Sequence, residues 1–280
     1  MLVLVTGSAG MIGSCLVQKL LVCGHKVIGI DNKNIAFNGE YEHICIDLGN
    51  NELLEKVFIE KRIERVIHLA ALAHSSKGKK YRRSLYEYLN VECSKNVIDL
   101  SSKYGIPLLF ISTVDVYGFQ KSIVNEKTKC VPVTIYGKTK YKAEQYLINS
   151  ECRYTIFRLS PVYSRDIKRD IQKRYYLKYP NLAYIIGNGT NYEVLNINSA
   201  IDEMIKWCYQ KVNNEIRILK DVKMLNTKEA IAIEKSLGRA NRVLRIPRWV
   251  VCFGYYCLRI TGKNKYTYLL SKAVNPLRSE

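Results

Sequence analysis

The chain has 280 residues, of which 48% are hydrophobic and 25% are charged, and its formal net charge is +19. This composition is that of a globular protein and excludes a low-complexity chain. The basic excess favours an anionic partner, such as a phosphorylated substrate, an acidic membrane surface or nucleic acid, without choosing among them.

Short apolar runs alternate with helical periodicity in the first half of the chain. The predicted strands cover residues 2–5, 26–31, 65–71, 108–111 and 154–159, and the predicted helices cover residues 11–23, 50–61, 81–104 and 136–149. This alternation predicts an α/β fold with a doubly wound parallel sheet of the Rossmann type.

Beyond Pro161 the pattern is less regular. A basic helix is expected over 165–179, a strand over 182–187, a helix over 200–210, a strand over 216–219 and a helix over 227–237. We therefore predict a larger sheet domain over residues 1–161 and a smaller C-terminal lobe over residues 162–280. Strands of the lobe are free to rejoin the main sheet.

The segment WVVCFGYYCLRI, residues 249–260, is the most apolar stretch near the C-terminus. It is too short to span a bilayer, and we expect a packed C-terminal helix, with contact to a membrane surface as the weaker alternative. The opening MLVLVTGSAG lacks the basic region and the long apolar core of a signal peptide. We expect a cytoplasmic protein without a transmembrane segment.

The nine cysteines are odd in number and form no CxxC pair. We expect them to be reduced, buried and small apolar side chains, as in proteins of a reducing compartment. Their spacing predicts no metal site.

Three glycines, Gly7, Gly10 and Gly13, separate the first predicted strand from the first predicted helix in TGSAGMIG. Glycines there permit a tight turn and a close approach of backbone to a pyrophosphate, which the helix N-terminus attracts. Asp31 ends the second predicted strand, where a carboxylate suits the ribose hydroxyls of NAD and repels the extra phosphate of NADP. The pattern predicts dinucleotide binding and favours NAD, although the neighbouring Lys33 weakens that preference.

Asp47 lies at the end of the next predicted strand, in ICIDL. It is a candidate for contact with the adenine side of the dinucleotide. The alternative is an N-cap for the helix that begins near Asn50.

Tyr136 and Lys140 are four residues apart at the start of a predicted helix, in YGKTKYKAEQ, and therefore share a face. A lysine ammonium beside a phenol favours the phenolate and lowers its pKa. Such a tyrosine can exchange a proton with a sugar hydroxyl during hydride transfer. The motif alone means little in a chain with 21 tyrosines.

The apolar strand at 108–111 ends in Ser112, Thr113 and Asp115. These residue types are common at a strand-to-loop transition, where they bond to nearby backbone. An active-site edge is the alternative that the rest of the sequence supports.

Taken together, these segments resemble the extended short-chain dehydrogenase/reductase family, the NAD-dependent nucleotide-sugar epimerases and dehydratases. The resemblance rests on TGSAGMIG, VIGIDN, VIHLAALAH, YLNVECSKNVIDL, ISTVDVYG, YGKTKYKAEQ and FRLSPVY, which lie within residues 3–163. It implies an NAD-binding Rossmann domain over residues 1–161 and a substrate-binding lobe over residues 162–280.

The resemblance also implies roles for individual residues. It makes Thr113 the ligand of the reacting hydroxyl, Tyr136 the general base and acid, and Lys140 the residue that tunes Tyr136 and anchors the ribose. The cofactor-binding residues it implies are Gly7, Gly10, Met11, Ile12, Gly13, Asp31, Asp47, Leu48, Ala70, Ala71, Tyr136 and Lys140, and the substrate-binding residues are Thr113, Asn90 and Ser160. His68 is expected in the core, and Arg158 is expected to be structural.

The sequence departs from the family pattern at several positions. Val114 stands where dehydratases of the family carry an acid, which disfavours water elimination, although Asp115 remains a candidate base. Pro161 and Ser164 replace the usual Asn and Gly in the following loop, which puts its sugar contacts in doubt. The candidate phosphate partners are Lys77, Lys79, Arg82, Arg83, Arg165, Lys168 and Arg169.

The resemblance predicts an NAD-dependent nucleotide-sugar 4-epimerase, with a nucleotide-diphosphate sugar as substrate and NAD as cofactor. A 4-ketoreductase with a dissociable NAD(P)H uses the same residues and is the first alternative. A non-catalytic NAD-binding protein is the second, and the retained Thr113, Tyr136 and Lys140 argue against it. A nucleic-acid partner rests on charge alone and is not expected, whereas a homodimer is an expectation from the family.

Overall fold

A computed structural model describes residues 1–34, 41–73, 82–120, 122–164, 169–240, 242–261 and 264–280. The side chains of residues 169–170 and 264–265 lie outside this description. The strands are β1 (Leu2–Thr6), β2 (Lys26–Asp31), β3 (Glu42–Cys45), β4 (Arg65–His68), β5 (Leu108–Thr113), β6 (Tyr154–Leu159), β7 (Val162–Tyr163), β8 (Tyr176–Leu177), β9 (Leu182–Ile186), β10 (Asn191–Tyr192), β11 (Leu195–Asn196), β12 (Glu215–Leu219), β13 (Leu225–Asn226) and β14 (Arg242–Ile246).

The helices alternate with the main strands. They are α1 (Met11–Val22), α2 (Asn51–Glu60), α3 (Arg83–Glu87), α4 (Cys93–Lys103), α5 (Ile135–Ile148), α6 (Arg169–Gln172), α7 (Ile197–Cys208), α8 (Thr227–Ser236), α9 (Arg248–Ile260) and α10 (Asn264–Val274). A π-helical segment, Tyr88–Glu92, joins α3 to α4, and a 3₁₀ turn, Val114–Tyr117, follows β5.

Seven parallel strands form the main sheet in the order β12-β6-β5-β4-β1-β2-β3. The order reverses between β1 and β4, so the loops that leave these two strands diverge to opposite halves of the sheet. A crevice at such a switch point is where open α/β sheets bind their ligands. This confirms the predicted α/β, Rossmann-type doubly wound sheet.

Both faces of the main sheet are covered by helices, because its strands carry apolar side chains on both sides. Leu4 faces one core with helices α2, α4 and α5. Val3 and Val5 face the other core with helices α1 and α7. The rigid sheet therefore fixes the strand ends on which the candidate site is built.

The second half of the chain contributes to two separate cores. Strand β12 pairs with β6 and completes the main sheet, and α7 packs on its face. A second apolar cluster, which includes Ile171, Tyr175 and Ala230, forms around β8, β9 and α8. The sequence leaves open that strands of the C-terminal lobe rejoin the main sheet, and β12 does so. The division of the chain at residue 161 stays a prediction.

The prediction of one basic helix over 165–179 is wrong for the described residues of that segment. Helix α6 has only four residues, and Tyr176–Leu177 is a strand that pairs antiparallel with β9. Tyr175 and Tyr176 are buried in the second cluster. Burial of adjacent aromatic side chains against a sheet therefore outweighs the helical preference of the neighbouring basic residues.

Two further expectations from the sequence are corrected. Helix α9 forms over the predicted segment and packs against α10, but none of its thirteen residues is buried. The cysteines are all free, as expected, yet Cys15, Cys23, Cys45 and Cys257 are exposed rather than buried. Within the described ranges, no helix has the length and apolar character needed to cross a bilayer.

A buried ion pair joins helix α5 to strand β6. The Glu144 side chain is fully buried and that of Arg158 is 3% exposed, and Arg158 Nη2 lies 2.7 Å from Glu144 Oε2. Arg158 Nη1 also donates to the phenolic oxygen of Tyr117 at 2.9 Å, and Ser112 donates to Glu144. Burial lowers the pKa of Arg158, but the hydrogen bonds and charge of Glu144 outweigh it, so the net pKa is raised.

Removing one member of this pair should be far more damaging than removing both. Arg158→Met leaves the Glu144 carboxylate buried without its counter-charge, and we expect the free energy of unfolding to fall by about 3–5 kcal/mol. The Glu144→Leu/Arg158→Met double variant should recover most of this loss. Urea unfolding measures both, with Lys103→Met at the exposed Lys103–Glu55 pair as a control that should change little. Equal losses in the single and double variants would contradict the assignment.

Candidate active site

The loop between β1 and α1 leaves no room for side chains at two of its glycines. Gly7 has φ = 72°, and a Cβ there would lie 2.7 Å from the Ala70 nitrogen. A Cβ on Gly13 would lie 2.1 Å from the carbonyl oxygen of Gly7. Gly10 is the N-cap of α1, and no side chain bonds to the helix end there. The backbone N–H groups at the start of α1 are therefore not capped by a side chain at Gly10, as an anion site at a helix N-terminus requires.

The other predicted residues of this loop lie beside it. Met11 and Ile12 begin α1 and pack against the core on that side of the sheet. Asp31 ends β2, and its carboxylate accepts from the backbone nitrogens of Ala9 and Lys33, both at 3.1 Å. The acidic side chain is thus held beside the glycine loop, where the sequence placed it.

Asp47 and Leu48 follow β3, at the same edge of the sheet as the glycine loop after β1 and Asp31 at the end of β2. Asp47 accepts from the Gly49 nitrogen at 2.9 Å, and the cap of α2 is instead Asn50, which accepts from Leu53 at 3.1 Å. The N-cap alternative for Asp47 is therefore wrong. The Leu48 side chain is buried in the core.

Ala70 and Ala71 follow β4 across the crevice. Ala70 is half-buried, and its nitrogen donates to Thr6 Oγ1 at 3.3 Å, whereas Ala71 is exposed. His68, the last residue of β4, is fully buried and hydrogen-bonded to Thr6 and to Ser94. Burial, with a smaller contribution from Lys140, lowers the pKa of His68 to about 3, so it is a neutral core residue as expected.

Thr113 is the last residue of β5 and is half-buried at the edge of the crevice. Its Oγ1 accepts from the Asp115 nitrogen at 3.2 Å and so caps the 3₁₀ turn that follows. Its hydroxyl hydrogen is not used in that bond. Thr113 is therefore at the strand end predicted from the sequence, and its hydroxyl can still donate a hydrogen bond.

Tyr136 and Lys140 lie one turn apart on α5, whose N-cap is Thr134. Lys140 is 1% exposed, and its Nζ lies 4.0 Å from the centroid of the Phe110 ring, with no hydrogen-bond partner among the described residues. Burial lowers the pKa of Lys140 to about 7, against a smaller opposite effect of Glu144. An ammonium in this position requires a partner that the described residues do not supply.

The pKa of Tyr136 differs from the expectation. Burial raises it, and the negative charge of Asp115 raises it further. Lys140 contributes no lowering to the pKa of Tyr136 in the protein alone. Burial lowers the pKa of Lys140 itself to about 7, so this lysine is only partly charged near neutral pH.

Asp115 is held by the C-terminal helix and is not a free base. Its Oδ1 accepts from the Tyr268 hydroxyl at 2.7 Å and from Lys272 Nζ at 2.9 Å, and its Oδ2 accepts from Thr134. Burial raises its pKa, but the charge of Lys272 and these hydrogen bonds outweigh it, so the net pKa is lowered. Val114, which precedes it, packs against a small apolar cluster.

Asn90 lies on the π-helical segment and is fully buried. Its Oδ1 accepts from the Leu72 nitrogen at 2.7 Å, and its Nδ2 donates to the Leu72 carbonyl and to Thr139 Oγ1. These bonds use the whole amide to fix the loop after β4 against α5. The geometry thus favours a positioning role over the substrate contact expected from the sequence.

Ser160 follows β6 and is buried, and its Oγ has no hydrogen-bond partner among the described residues. It stays a prediction as a substrate ligand. Of the candidate phosphate partners, Arg82 and Arg83 are exposed near the start of α3, and Arg83 pairs with Glu87 at 3.7 Å. Lys77, Lys79, Arg165 and Lys168, and the side chain of Arg169, lie outside the described residues. The described ranges contain no cluster of residues suited to a metal ion.

Glu144 is the site-supporting residue that the sequence analysis missed. It lies four residues after Lys140 and eight after Tyr136, so all three share one face of α5. This spacing was the available signal. The residue type gives the opposite indication, because an acidic residue on an amphipathic helix is usually solvated.

The residues present fit a bound dinucleotide. The glycine loop offers backbone at positions where side chains do not fit, Asp31 lies beside it, and the buried Lys140 Nζ has no hydrogen-bond partner within the described ranges. Gly7, Gly10, Gly13 and Asp31 would hold its adenosine and pyrophosphate half, and Lys140 would hold the ribose next to the reacting ring.

Comparison with known proteins agrees with this geometry. The pattern of the NAD dependent epimerase/dehydratase family matches residues 3–199. A UDP-glucose 4-epimerase of Caenorhabditis elegans is 34% identical over 171 residues, which cover 52% of this chain and 48% of the relative. This chain therefore spans about half the length of that relative.

A second relative aligns over nearly the whole chain. An N-acetyl-alpha-D-glucosaminyl-diphospho-ditrans,octacis-undecaprenol 4-epimerase of Escherichia coli O157:H7 is 26% identical over 275 residues, covering 93% of this chain and 81% of the relative. Among solved structures, a UDP-glucuronic acid 4-epimerase from Bacillus cereus in complex with NAD has a TM-score of 0.72. It is 24% identical, and the match covers 89% of this chain and 88% of that one.

The close contact at Gly13 gives a direct test of the dinucleotide site. In Gly13→Ala the new methyl group overlaps the Gly7 carbonyl, so the loop must shift, and we expect stability to fall by about 1–3 kcal/mol. The rise in Tm on adding NAD should be lost. Gly254→Ala is the matched helical control, since its new methyl group would only reach ordinary contact with Leu270, and it should keep the NAD response. An undiminished NAD shift in Gly13→Ala would exclude this loop as the binding site.

Burial of Lys140 predicts a pH dependence of stability. The unfolded chain binds the Lys140 proton below about 10.5, whereas the folded protein binds it only below about 7. The free energy of unfolding should therefore rise with pH between these values through this residue, and stay constant below them. Urea unfolding of the NAD-free protein at several pH values measures the slope, which should be smaller in Lys140→Met and unchanged in Lys56→Met. An identical slope in wild type and Lys140→Met would show that the lysine is not buried as described.

Proposed function

Because this chain belongs to the NAD-dependent epimerase/dehydratase family and its cofactor is NAD, we propose that it is a nucleotide-sugar 4-epimerase with Tyr136 as its base. The observation that carries the proposal is the buried ammonium of Lys140, one turn from Tyr136 and without a partner among the described residues. A binding protein without catalysis would not need an isolated buried lysine at this place, which is costly to fold.

The chain supplies the groups that move a proton at the sugar. Tyr136 accepts the proton of the sugar 4-hydroxyl and later returns it, as general base and then general acid. Thr113 donates its free hydroxyl hydrogen to the reacting oxygen and so orients it toward Tyr136. When bound, NAD would supply the hydride acceptor and a positive ring charge, which would counter the effect of burial and of Asp115 on the pKa of Tyr136.

Lys140 would hold a ribose hydroxyl of the dinucleotide through its Nζ, and a bond to that oxygen would favour the protonated, charged form of the lysine. The ribose oxygen would be an acceptor that the described residues do not provide, and it would offset part of the cost of burial. The charged form stabilises the Tyr136 phenolate. Glu144 lies on the same face of α5 and favours the charged lysine from beneath.

Water elimination is disfavoured by two neighbouring residues. Val114 has no proton to give to a leaving hydroxyl, and its side chain packs in an apolar cluster. The carboxylate of Asp115 accepts hydrogen bonds from Thr134, Tyr268 and Lys272. These bonds fix its position and disfavour its action as a base in water elimination. The site thus retains oxidation–reduction at one carbon and lacks the acid and base of a dehydratase.

The substrate class extends to sugars joined to a diphosphate on another carrier. The E. coli relative that aligns with 93% of this chain is named for a sugar on undecaprenyl diphosphate, whereas the C. elegans relative is named for UDP-glucose. Both substrates share a sugar 1-diphosphate, which is the part next to the reacting ring. A 4-ketoreductase with dissociable NAD(P)H remains the alternative reaction, since it uses the same three residues.

The role of Tyr136 can be tested with UDP-glucose, UDP-galactose and the corresponding N-acetylhexosamine nucleotides. We expect interconversion without added NAD(P)H, and a decrease in kcat of about 100- to 10,000-fold in Tyr136→Phe, because the variant cannot exchange the proton. Tyr141→Phe, on the same helix, is the matched control and should keep most of the activity. Undiminished turnover in Tyr136→Phe would overturn the proposed role. Conversion that requires added NADPH and a 4-keto sugar would favour the reductase.

A further inference from the structure

The helix α9 presents an apolar face with no partner among the described residues. Trp249 is 71% exposed, Phe253 is 67% exposed and Ile260 is 86% exposed, and Val250 and Tyr256 are exposed on the same side. Their spacing of three, four and seven residues places them on one stripe of the helix. Exposed side chains of this size and number exceed the scattered apolar residues of an ordinary surface.

The neighbouring helix α10 extends this surface. Tyr266 and Leu269 are exposed on α10 by more than half of their area. The two helices pack on each other through the other side of α9, where Gly254 lies against Leu270. The apolar face of α9 and the exposed residues of α10 are called the α9–α10 face below.

The stretch of chain that forms the α9–α10 face carries charge of a single sign. Between Glu234 and Glu280 the sequence contains no Asp or Glu. The basic residues of this stretch are Lys235, Arg239, Arg242, Arg245, Arg248, Arg259, Lys263, Lys265, Lys272 and Arg278. Arg248 and Arg259 lie next to the apolar stripe by their helical positions, and Arg242 and Arg245 on β14 are exposed just before it.

We propose that the α9–α10 face docks on the surface of an anionic lipid bilayer. Tryptophan and tyrosine rings are suited to the boundary between headgroups and acyl chains, and Phe253 and Ile260 would enter the apolar layer below it. The arginine stems lie along the apolar surface while their guanidinium groups reach lipid phosphates. The occupant is lipid because charge of one sign repels a second copy of the same face, whereas it attracts an acidic membrane.

Docking would place the active site near the bilayer. Tyr268 and Lys272 of α10 hold Asp115, which lies close enough to Tyr136 for its charge to raise the Tyr136 pKa. The same helix therefore contacts both the lipid-facing side and the edge of the proposed site. The docking proposal rests on the surface alone and does not depend on the proposed epimerase reaction.

The intrinsic tryptophans make the first measurement specific. The chain has two, and Trp207 is buried in the core whereas Trp249 is exposed. Adding vesicles of phosphatidylcholine with phosphatidylglycerol should shift the emission to shorter wavelength, and salt should weaken the effect. Phosphatidylcholine alone should give little shift. Trp249→Phe should keep co-sedimentation with the vesicles and lose the emission shift.

Matched variants separate the face from general surface properties. Phe253→Glu/Ile260→Glu should reduce partitioning to the anionic vesicles at least about tenfold, because it places charges in the apolar layer. Ile59→Glu/Ile233→Glu introduces the same charge at exposed apolar positions of α2 and α8 and should bind about as the wild type does. Arg245→Gln/Arg259→Gln should weaken binding by about fivefold per residue removed, and Lys56→Gln/Arg62→Gln should weaken it less.

Two outcomes would overturn the proposal. The first is equal partitioning of Phe253→Glu/Ile260→Glu and of its control, with both variants folded by circular dichroism. The second is a wild-type oligomer in solution that Phe253→Glu/Ile260→Glu dissociates, which would make the face an interface between copies of this chain. Loss of vesicle binding with unchanged sugar interconversion supports docking, and it leaves the proposed epimerase reaction untouched.

Discussion

The buried carboxylate of Glu144 is the interaction on which the candidate site depends. It pairs with Arg158 of β6 and accepts from Ser112 of β5, and it lies on the face of α5 that carries Tyr136 and Lys140. An ion pair without solvent is stable only when both members keep their partners and geometry. The pair therefore fixes α5 against two adjacent strands, and with it the direction in which the two catalytic candidates point. Its negative charge also favours the charged form of Lys140.

Sheet topology supplies the second constraint. Strand order reverses between β1 and β4, so their loops leave a crevice, and Gly7 approaches Ala70 across it too closely for any side chain. The same strand ends carry Asp31 on one side and Thr113 on the other. The residues that fit a dinucleotide and the hydroxyl of Thr113 thus lie at one sheet edge. Lys140, which is buried without a hydrogen-bond partner in the described part of the chain, lies next to this edge.

The sequence predicted this edge well, because its residues come from short motifs with local causes. Glycines before a helix, an acid after a strand and a four-residue Tyr–Lys spacing each have one simple structural meaning. The residues that escaped prediction depend on tertiary contacts. Glu144 belongs to a residue type that is usually exposed. It is buried here because it pairs with Arg158, which lies on a different element, β6. In residues 169–179, the described part of the predicted helix, burial of Tyr175 and Tyr176 outweighs the helical pattern, and α9 lies at the surface, where α10 packs against it.

The attachment of α10 links the basic end of the chain to the site. Asp115 is the acidic group that Lys272 and Tyr268 contact, and its pKa is lowered in the folded protein. A lowered carboxyl pKa means that this contribution to stability is present above the ordinary pKa of Asp and is lost only as the pH falls through the lower, folded value. The contact therefore persists across the neutral range. Since α9 packs on α10, the exposed apolar stripe is joined through α10 and Asp115 to the edge of the candidate site.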